Sequence, residues 1–236
     1  MVASLIRIEN WKTLKIIKRI NRFVVLVEED SYVEKAYINN TGRLMEYMVT
    51  GKTAYCILLS RPRKTKYRLF AVEDSGLGAL IDTQFQMEAF EKIIEQQLAA
   101  WAKDCRIRQR NPRLGESVLD YLLECRDREV YVEVKSAVLR SKDNYAMYPD
   151  CPSPRGRRHI RELIKHVENG GEAWLVFIAG LPHVKGFRPY EKGDPEIPRL
   201  VRAACKHGVL VKAINFYFDP ESSSIVLGNP DLCVKI

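Results

Sequence analysis

The sequence lacks several features that would settle its chemistry at once. No run of 18 consecutive apolar residues occurs, so no membrane-crossing helix is expected. The opening, MVASLIRIENWKTLK, has no basic stretch leading into a long apolar core. No signal peptide is therefore expected, and the chain is expected in the cytoplasm. The six cysteines (Cys56, Cys105, Cys125, Cys151, Cys205 and Cys233) never form a C-x-x-C pair. That sets aside zinc-ribbon and thioredoxin chemistry. In a reducing compartment they are expected as free thiols, although a hyperthermophilic source would permit disulfides. No Walker P-loop, G-x-G-x-x-G, H-E-x-x-H or G-x-S-x-G is present. Acidic residues are scarce at one end. Residues 1–70 hold 14 Lys/Arg against 6 Asp/Glu, whereas residues 71–236 hold 24 of each. The whole formal charge of +8 thus lies in the first 70 residues. Such asymmetry points to two units with different tasks and to an anionic partner for the first.

What is present is an ordinary globular composition. The 236 residues are 46% hydrophobic and 29% charged, enough to build one large core or two small ones. Residues 14–38 read as β, with Phe23–Val27 and Tyr32–Ile38 as strands and residues 28–31 as the turn between them. Further strands are expected at Tyr55–Ser60, Tyr67–Val72 and Ala79–Asp82, with a basic loop over Arg61–Lys66. Several short strands in this space suggest a small barrel of oligonucleotide-binding (OB) type. From Gln84 the period changes. Phe90, Ile93, Ile94, Leu98 and Trp101 follow helical spacing. Beyond them strands (105–110, 116–123, 129–136, 172–179, 208–218) alternate with helices (155–168, 196–207), the pattern of an α/β layer structure. Two domains are expected, residues 1–83 and 84–236.

The second domain carries the candidate chemistry. L-G-E-S-V-L-D-Y-L-L-E and V-Y-V-E-V-K-S read as strands joined at Arg126-Asp127. A hairpin centred there sets Asp120 opposite Glu133, and directly opposed side chains lie roughly 5 Å apart. Two carboxylates that close repel unless a cation or proton lies between them. Mg²⁺, or Mn²⁺ in its place, suits such oxygen ligands. Lys135 shares the face of Glu133 and is placed to orient a water or to meet a phosphate. Apolar neighbours on both strands make an unpaired carboxylate pair costly, which favours a metal site over a surface ion network.

Next comes Y-P-D-C-P-S-P-R-G-R-R-H-I-R-E-L-I-K-H-V. Ser153 is the expected N-cap and Pro154 the first helical residue. Arg155, Arg157, Arg158, His159 and Arg161 crowd the first two turns, against the helix dipole. That placement suggests phosphate recognition. His159 is a candidate phosphate contact or proton-transfer group, whereas His166 and His207 are read as incidental.

Taken together, N-T-G-R at Asn40–Arg43, Y-V-E-V-K-S at Tyr131–Ser136, Y-P-D at Tyr148–Asp150 and R-G-x-x-H-I-x-E-L at Arg155–Leu163 resemble the sugar fermentation stimulation protein (SfsA) family. The resemblance covers nearly the whole chain. It implies an OB-like β-barrel followed by a PD-(D/E)xK nuclease-like α/β domain with a mixed central sheet. It also implies non-specific DNA binding and a regulatory role in sugar (maltose) metabolism. Asp120, Glu133 and Lys135 fall on the family's nuclease motif, Arg43 on its N-T-G-R turn, and Arg155, Gly156 and His159 on its helix motif. The sequence departs from the family pattern at Ser117–Asp120, where an arginine is missing, and at the strongly basic Arg106–Arg110. A glutamate on the preceding helix, Glu91 or Glu95, is an optional further metal ligand, with a solvated helix face the preferred reading.

The expected function is metal-dependent phosphodiester hydrolysis on DNA, with RNA as the other substrate. Asp120 and Glu133 are the expected metal ligands, and Lys135 the third catalytic residue. Arg43, Arg61, Arg63, Lys64, Lys66, Arg155, Arg158 and His159 are the expected nucleic-acid contacts, with Tyr32, Tyr37, Tyr55 or Tyr67 offered for base stacking. The alternative is a DNA-binding regulator without turnover. No membrane partner is expected, and the oligomeric state is open, a homodimer being compatible.

Overall fold

The computed structural model describes residues 3–61 and 64–236. Its packing separates two compact units. The first holds the chain up to Ala89 together with residues 180–183 and 216–228. The second holds Phe90–Ala179, Val184–Asn215 and Asn229–Ile236.

The first unit is built on a closed barrel of five strands: Trp11–Asn21, Val24–Glu29, Tyr32–Tyr37, Thr53–Leu58 and Tyr67–Asp74. The first strand pairs antiparallel with the second and the fourth. The second pairs with the third, and the fourth with the fifth. A parallel pairing of Ala36 with Tyr67 and Tyr37 with Arg68 closes the ring. The order 1-2-3-5-4-1 is that of an OB barrel. Alternation explains the wall: Leu14, Ile16, Val25, Val27 and Ala36 point inward while their neighbours Lys15, Glu28 and Lys35 point out. Register shifts at Ile16/Lys18 and Arg19/Asn21 bend the long first strand so that it serves two neighbours. Asp30 and Ser31 both have positive φ (46° and 73°), which makes a two-residue hairpin turn narrower than the four residues expected. Strand Leu77–Leu80 extends the fifth barrel strand as a hairpin. Ala3–Arg7, unforeseen from the sequence, pairs with Ser224–Asn229.

Helix Thr83–Glu95 starts on Asp82, whose Oδ1 accepts from the Phe85 N–H at 3.0 Å. The helix stops at Glu95, because Gln97 turns left-handed at φ 55°. Leu98 and Trp101, expected on this helix, therefore lie beyond it. The Trp101 ring packs on Trp174 instead, 5.2 Å between centroids.

In the second unit the sheet order is Cys105–Arg110, Tyr121–Cys125, Arg128–Ala137, Glu172–Ala179, then residues 210–215. The first three strands are antiparallel, and the last two join in parallel through helices Pro154–Glu168 and Glu196–Lys206. The mixed sheet with crossover helices is the PD-(D/E)xK nuclease-like architecture the resemblance implied. Glu172–Ala179 is apolar almost throughout and buried, as a central parallel strand must be. A small second sheet, Leu139–Arg140, Tyr145–Tyr148 and Gly186–Pro189, was not foreseen.

Two expectations need correction. The strand expected at 116–123 is broken. Ser117–Val118 folds back on Arg113–Leu114 around Gly115 (φ 56°), and Tyr121–Cys125 begins a separate strand. The expectation of six free thiols also fails. Cys105 and Cys125 sit opposite each other on neighbouring strands and form a disulfide, with Cα atoms 4.0 Å apart. Cys56, Cys205 and Cys233 are free thiols.

Candidate active site

The hairpin that bears the acidic pair turns at Arg126 (φ 57°) and Asp127, and Cys125 opposes Arg128. From there the register runs to Tyr121 opposite Val132. Asp120 is the next position, but the strand has already left the ladder. The Asp120 N–H still donates to the Val132 carbonyl at 3.2 Å. Its Oδ2 accepts the Val134 N–H at 2.7 Å, standing in for the backbone acceptor that the departing strand withdraws. The Asp120 side chain is thereby fixed beside residue 133.

Alternation puts Tyr131, Glu133 and Lys135 on the face that meets helix Pro154–Glu168. The Tyr131 ring lies 4.9 Å from His166 of that helix. Glu133 is 2% exposed, and its Oε1 accepts both the Lys135 ammonium and His159 Nδ1, the latter at 2.7 Å. His159 Nε2 accepts from Arg155 Nε at 3.3 Å, so the network assigns the imidazole proton to Nδ1. The other Glu133 oxygen, Oε2, is buried and has no hydrogen-bond partner. A buried carboxylate oxygen without a donor costs free energy that a cation would return.

The electrostatics agree with the geometry. Burial, and then the Glu133 charge, push the Asp120 carboxyl up to about 6. Burial alone would raise Glu133, but the Lys135 ammonium and the His159 hydrogen bond hold it below the usual carboxylate range. Lys135, with a side chain 11% exposed, resists the effect of its own burial because Glu133 and Asp120 keep it charged. The site thus presents a charged lysine and two carboxylates that cannot both ionise at low cost. Among the described residues no group of three or more His, Cys, Asp or Glu is arranged to hold a metal. Two carboxylates with an orphaned oxygen suit Mg²⁺, which binds through one or two carboxylates plus water and substrate phosphate.

Two residues beside this cluster, Tyr148 and Asp194, were not singled out from the sequence. Tyr148 is half-buried, its hydroxyl 3.0 Å from Ser153 Oγ, and its phenol lies in the field of the Lys135 ammonium. Ser153 caps the helix by accepting the Gly156 N–H at 3.2 Å, as expected. Its own N–H donates to buried Asp194 at 2.8 Å. Gly156 is required here, since a Cβ would meet both Ser153 Oγ and the Tyr148 hydroxyl at 2.5 Å. Only the Y-P-D motif hinted at Tyr148. Asp194 gave no sequence signal.

Comparison with known proteins places this arrangement. The model of the sugar fermentation stimulation protein RE domain matches residues 84–222, and that of the SfsA N-terminal OB domain matches residues 17–81. The chain belongs to the sugar fermentation stimulation protein family. Its relatives include the Pyrococcus furiosus homolog, 50% identical over 212 residues (90% of this chain, 91% of that one). The Archaeoglobus fulgidus homolog is 46% identical over 233 residues, covering 99% and 100%. A solved structure of Pyrococcus furiosus SfsA in complex with Ca²⁺ superimposes with a TM-score of 0.94 at 46% identity, over 99% of this chain and 100% of that one.

The basic residues of this SfsA-family chain fall into two groups. Some are tied to carboxylates. Arg157 bonds to Asp194 (3.0 Å) and Glu196, and Arg161 to Glu196 at 2.5 Å. Arg106, Arg108 and Arg110 pair with Glu124, Glu129 and Glu91, which laces the basic strand rather than leaving it to meet phosphate. Glu91 also accepts from the Tyr121 hydroxyl at 2.9 Å, and Glu95 pairs with Lys92. Lys66 bridges Glu29 and Glu34 at 2.8 and 2.9 Å. His159, expected at a phosphate, is 2% exposed and faces Glu133 instead, because its helix position points into the sheet.

Others are open to solvent. Arg155 and Arg158 are exposed at the start of the helix. In the barrel unit Arg43, Arg61 and Lys64 are exposed, and Arg63 lies outside the described residues. The N-T-G-R turn holds Arg43 because the Arg19 guanidinium donates to the carbonyls of Asn40 and Gly42. Of the tyrosines considered for stacking, Tyr32 and Tyr37 are exposed. Tyr55 packs edge-on against Trp11 and Phe218, and buried Tyr67 donates to Glu29 at 2.5 Å.

Proposed function

We propose that this protein is a divalent-metal-dependent nuclease acting on DNA. The observation that carries the proposal is the orphaned Oε2 of Glu133 beside Asp120 and Lys135. Asp120 and Glu133 would hold Mg²⁺ or Mn²⁺. When bound, the metal would supply an activated water and neutralise charge on the scissile phosphate. Glu133 keeps its metal-facing oxygen oriented through two hydrogen bonds on Oε1. Lys135 directs one N–H to Glu133 and has two more for a water or a phosphoryl oxygen. Exposed Arg155 and Arg158 flank the same helix end and suit phosphates of the strand. A relative 46% identical is described in complex with Ca²⁺, which supports an oxygen-ligand cation site in this fold.

The test is a cleavage assay with Mg²⁺ or Mn²⁺ on single- and double-stranded DNA and on RNA, using the protein and its Asp120→Ala and Lys135→Ala variants. Cleavage lost in both variants, with DNA affinity retained, supports the proposal. Salt-dependent DNA binding without turnover on any substrate overturns it in favour of a DNA-binding regulator.

A further inference from the structure

The small sheet of the second unit gathers positive charge that the acidic cluster does not use. Tyr145 opens the strand Tyr145–Tyr148 and pairs with Gly186. A Cβ at residue 186 would come within 2.6 Å of the Tyr145 ring and 2.9 Å of the Cys233 carbonyl, so glycine lets the ring and the C-terminal segment close up. The Phe187 N–H donates to the Cys233 carbonyl, and the Lys235 N–H to the Phe187 carbonyl, both at 2.8 Å. Three separate segments thus converge on one ring. Lys185 Nζ, the Arg188 guanidinium and Lys235 Nζ lie 4.9, 5.3 and 5.7 Å from its centroid. Asp143 forks Arg188 at 3.0 and 2.7 Å. Lys185 and Lys235 are exposed and make no ion pair among the described residues. Attraction to the ring offsets only part of the mutual repulsion of such a group.

We propose that Tyr145, Lys185, Arg188 and Lys235 form a grip for a nucleic-acid backbone, separate from the hydrolytic cluster. The proposal rests on the DNA reading above. The cations are spread around a ring rather than aimed at one point, which fits successive phosphates better than a single small anion. The strand Tyr145–Tyr148 links the grip to the site, because it packs against the strand Arg128–Ala137 that bears Glu133 and Lys135. Three residues of strand span about 10 Å. That separation is short enough for one bound strand to reach both the grip and the acidic cluster.

The experiment measures duplex DNA affinity from 50 to 200 mM salt, without divalent metal, for the protein, for Lys185→Gln/Lys235→Gln, and for Arg202→Gln/Lys206→Gln on an exposed helix face. Two lost phosphate contacts lower the salt slope by about 2, so over this range the wild type loses roughly tenfold more affinity than the first variant. That result, with Mn²⁺ affinity unchanged and the helix variant near wild type, supports the grip. An unchanged slope, or an equal change in both variants, overturns it. Free inorganic phosphate at millimolar concentration protecting the grip lysines from acetylation as well as DNA does would assign a small-anion site and also overturn it. Wild-type protein with no DNA affinity at 50 mM salt defeats the DNA reading itself, a distinguishable outcome.

Discussion

His159 Nδ1 lies 2.7 Å from Glu133 Oε1, with both side chains buried to within 3% of full burial. The imidazole fixes one carboxylate oxygen and leaves the other buried without a hydrogen-bond partner. In the proposed metal site His159 is a positioning residue, acting through Glu133. Replacing it with Ala should weaken Mn²⁺ binding about 10- to 100-fold. His159→Asn, which can present an N–H near the same place, should recover most of that loss. Calorimetric titration with Mn²⁺ reads the effect without relying on turnover.

The burial of Asp120, reinforced by the Glu133 charge, predicts a trade between stability and function. The Asp120 pKa is raised from 3.8 to about 6, so the folded state favours the protonated form. The penalty is absent below pH 3.8, grows as pH rises, and is fully present above about 6. Asp120→Asn keeps an acceptor for the Val134 N–H and removes the charge. Without metal at pH 7.5 it should be more stable than the wild type by about 1–3 kcal/mol, as read by denaturant midpoint. At pH 4 the difference should nearly vanish. Cleavage should be lost.

Glu29 predicts an acid-limb effect in the barrel unit. The Lys12, Lys66 and Tyr67 hydrogen bonds hold its carboxyl down to about 2. A carboxylate lowered on folding contributes stability above its unfolded value and loses it as pH falls through the folded one. The Tm difference between the protein and Glu29→Gln should therefore be constant above pH 4.5 and shrink toward pH 2. High salt should reduce it throughout, since the ion pairs are partly exposed.

The Cys105–Cys125 bridge closes a loop over 20 residues of sequence and staples the edge strand to the hairpin strand that leads to Asp120. Loop-closure entropy puts its contribution at about 3 kcal/mol. Reduction, or Cys105→Ser/Cys125→Ser, should lower unfolding stability by that order, measured by denaturant titration. An unchanged midpoint would show that the strand pairing alone holds this edge.

The hairpin register was legible because a two-residue turn at Arg126-Asp127 fixes every pairing back to Tyr121. The departure of Asp120 from the ladder was not, because it depends on Pro112, whose carbonyl receives the Leu119 N–H at 3.0 Å. The cysteine pair was hidden for a similar reason: a third strand brings the two together across 20 residues. The helix Pro154–Glu168 was readable from its Ser-Pro cap and its apolar stripe. Its arginines were misread as a group, since Asp194 and Glu196, more than 30 residues on, neutralise Arg157 and Arg161. Local chemistry was visible in the chain; partners supplied by distant segments were not.

The most direct test of the metal site is diffraction from crystals soaked in Mn²⁺, with anomalous scattering to locate the ion. The account predicts an anomalous peak bonded to the Asp120 carboxylate and to Glu133 Oε2, and its absence in crystals of Glu133→Gln. Glu133 Oε2 found hydrogen-bonded to protein, with no peak near Asp120, would contradict it.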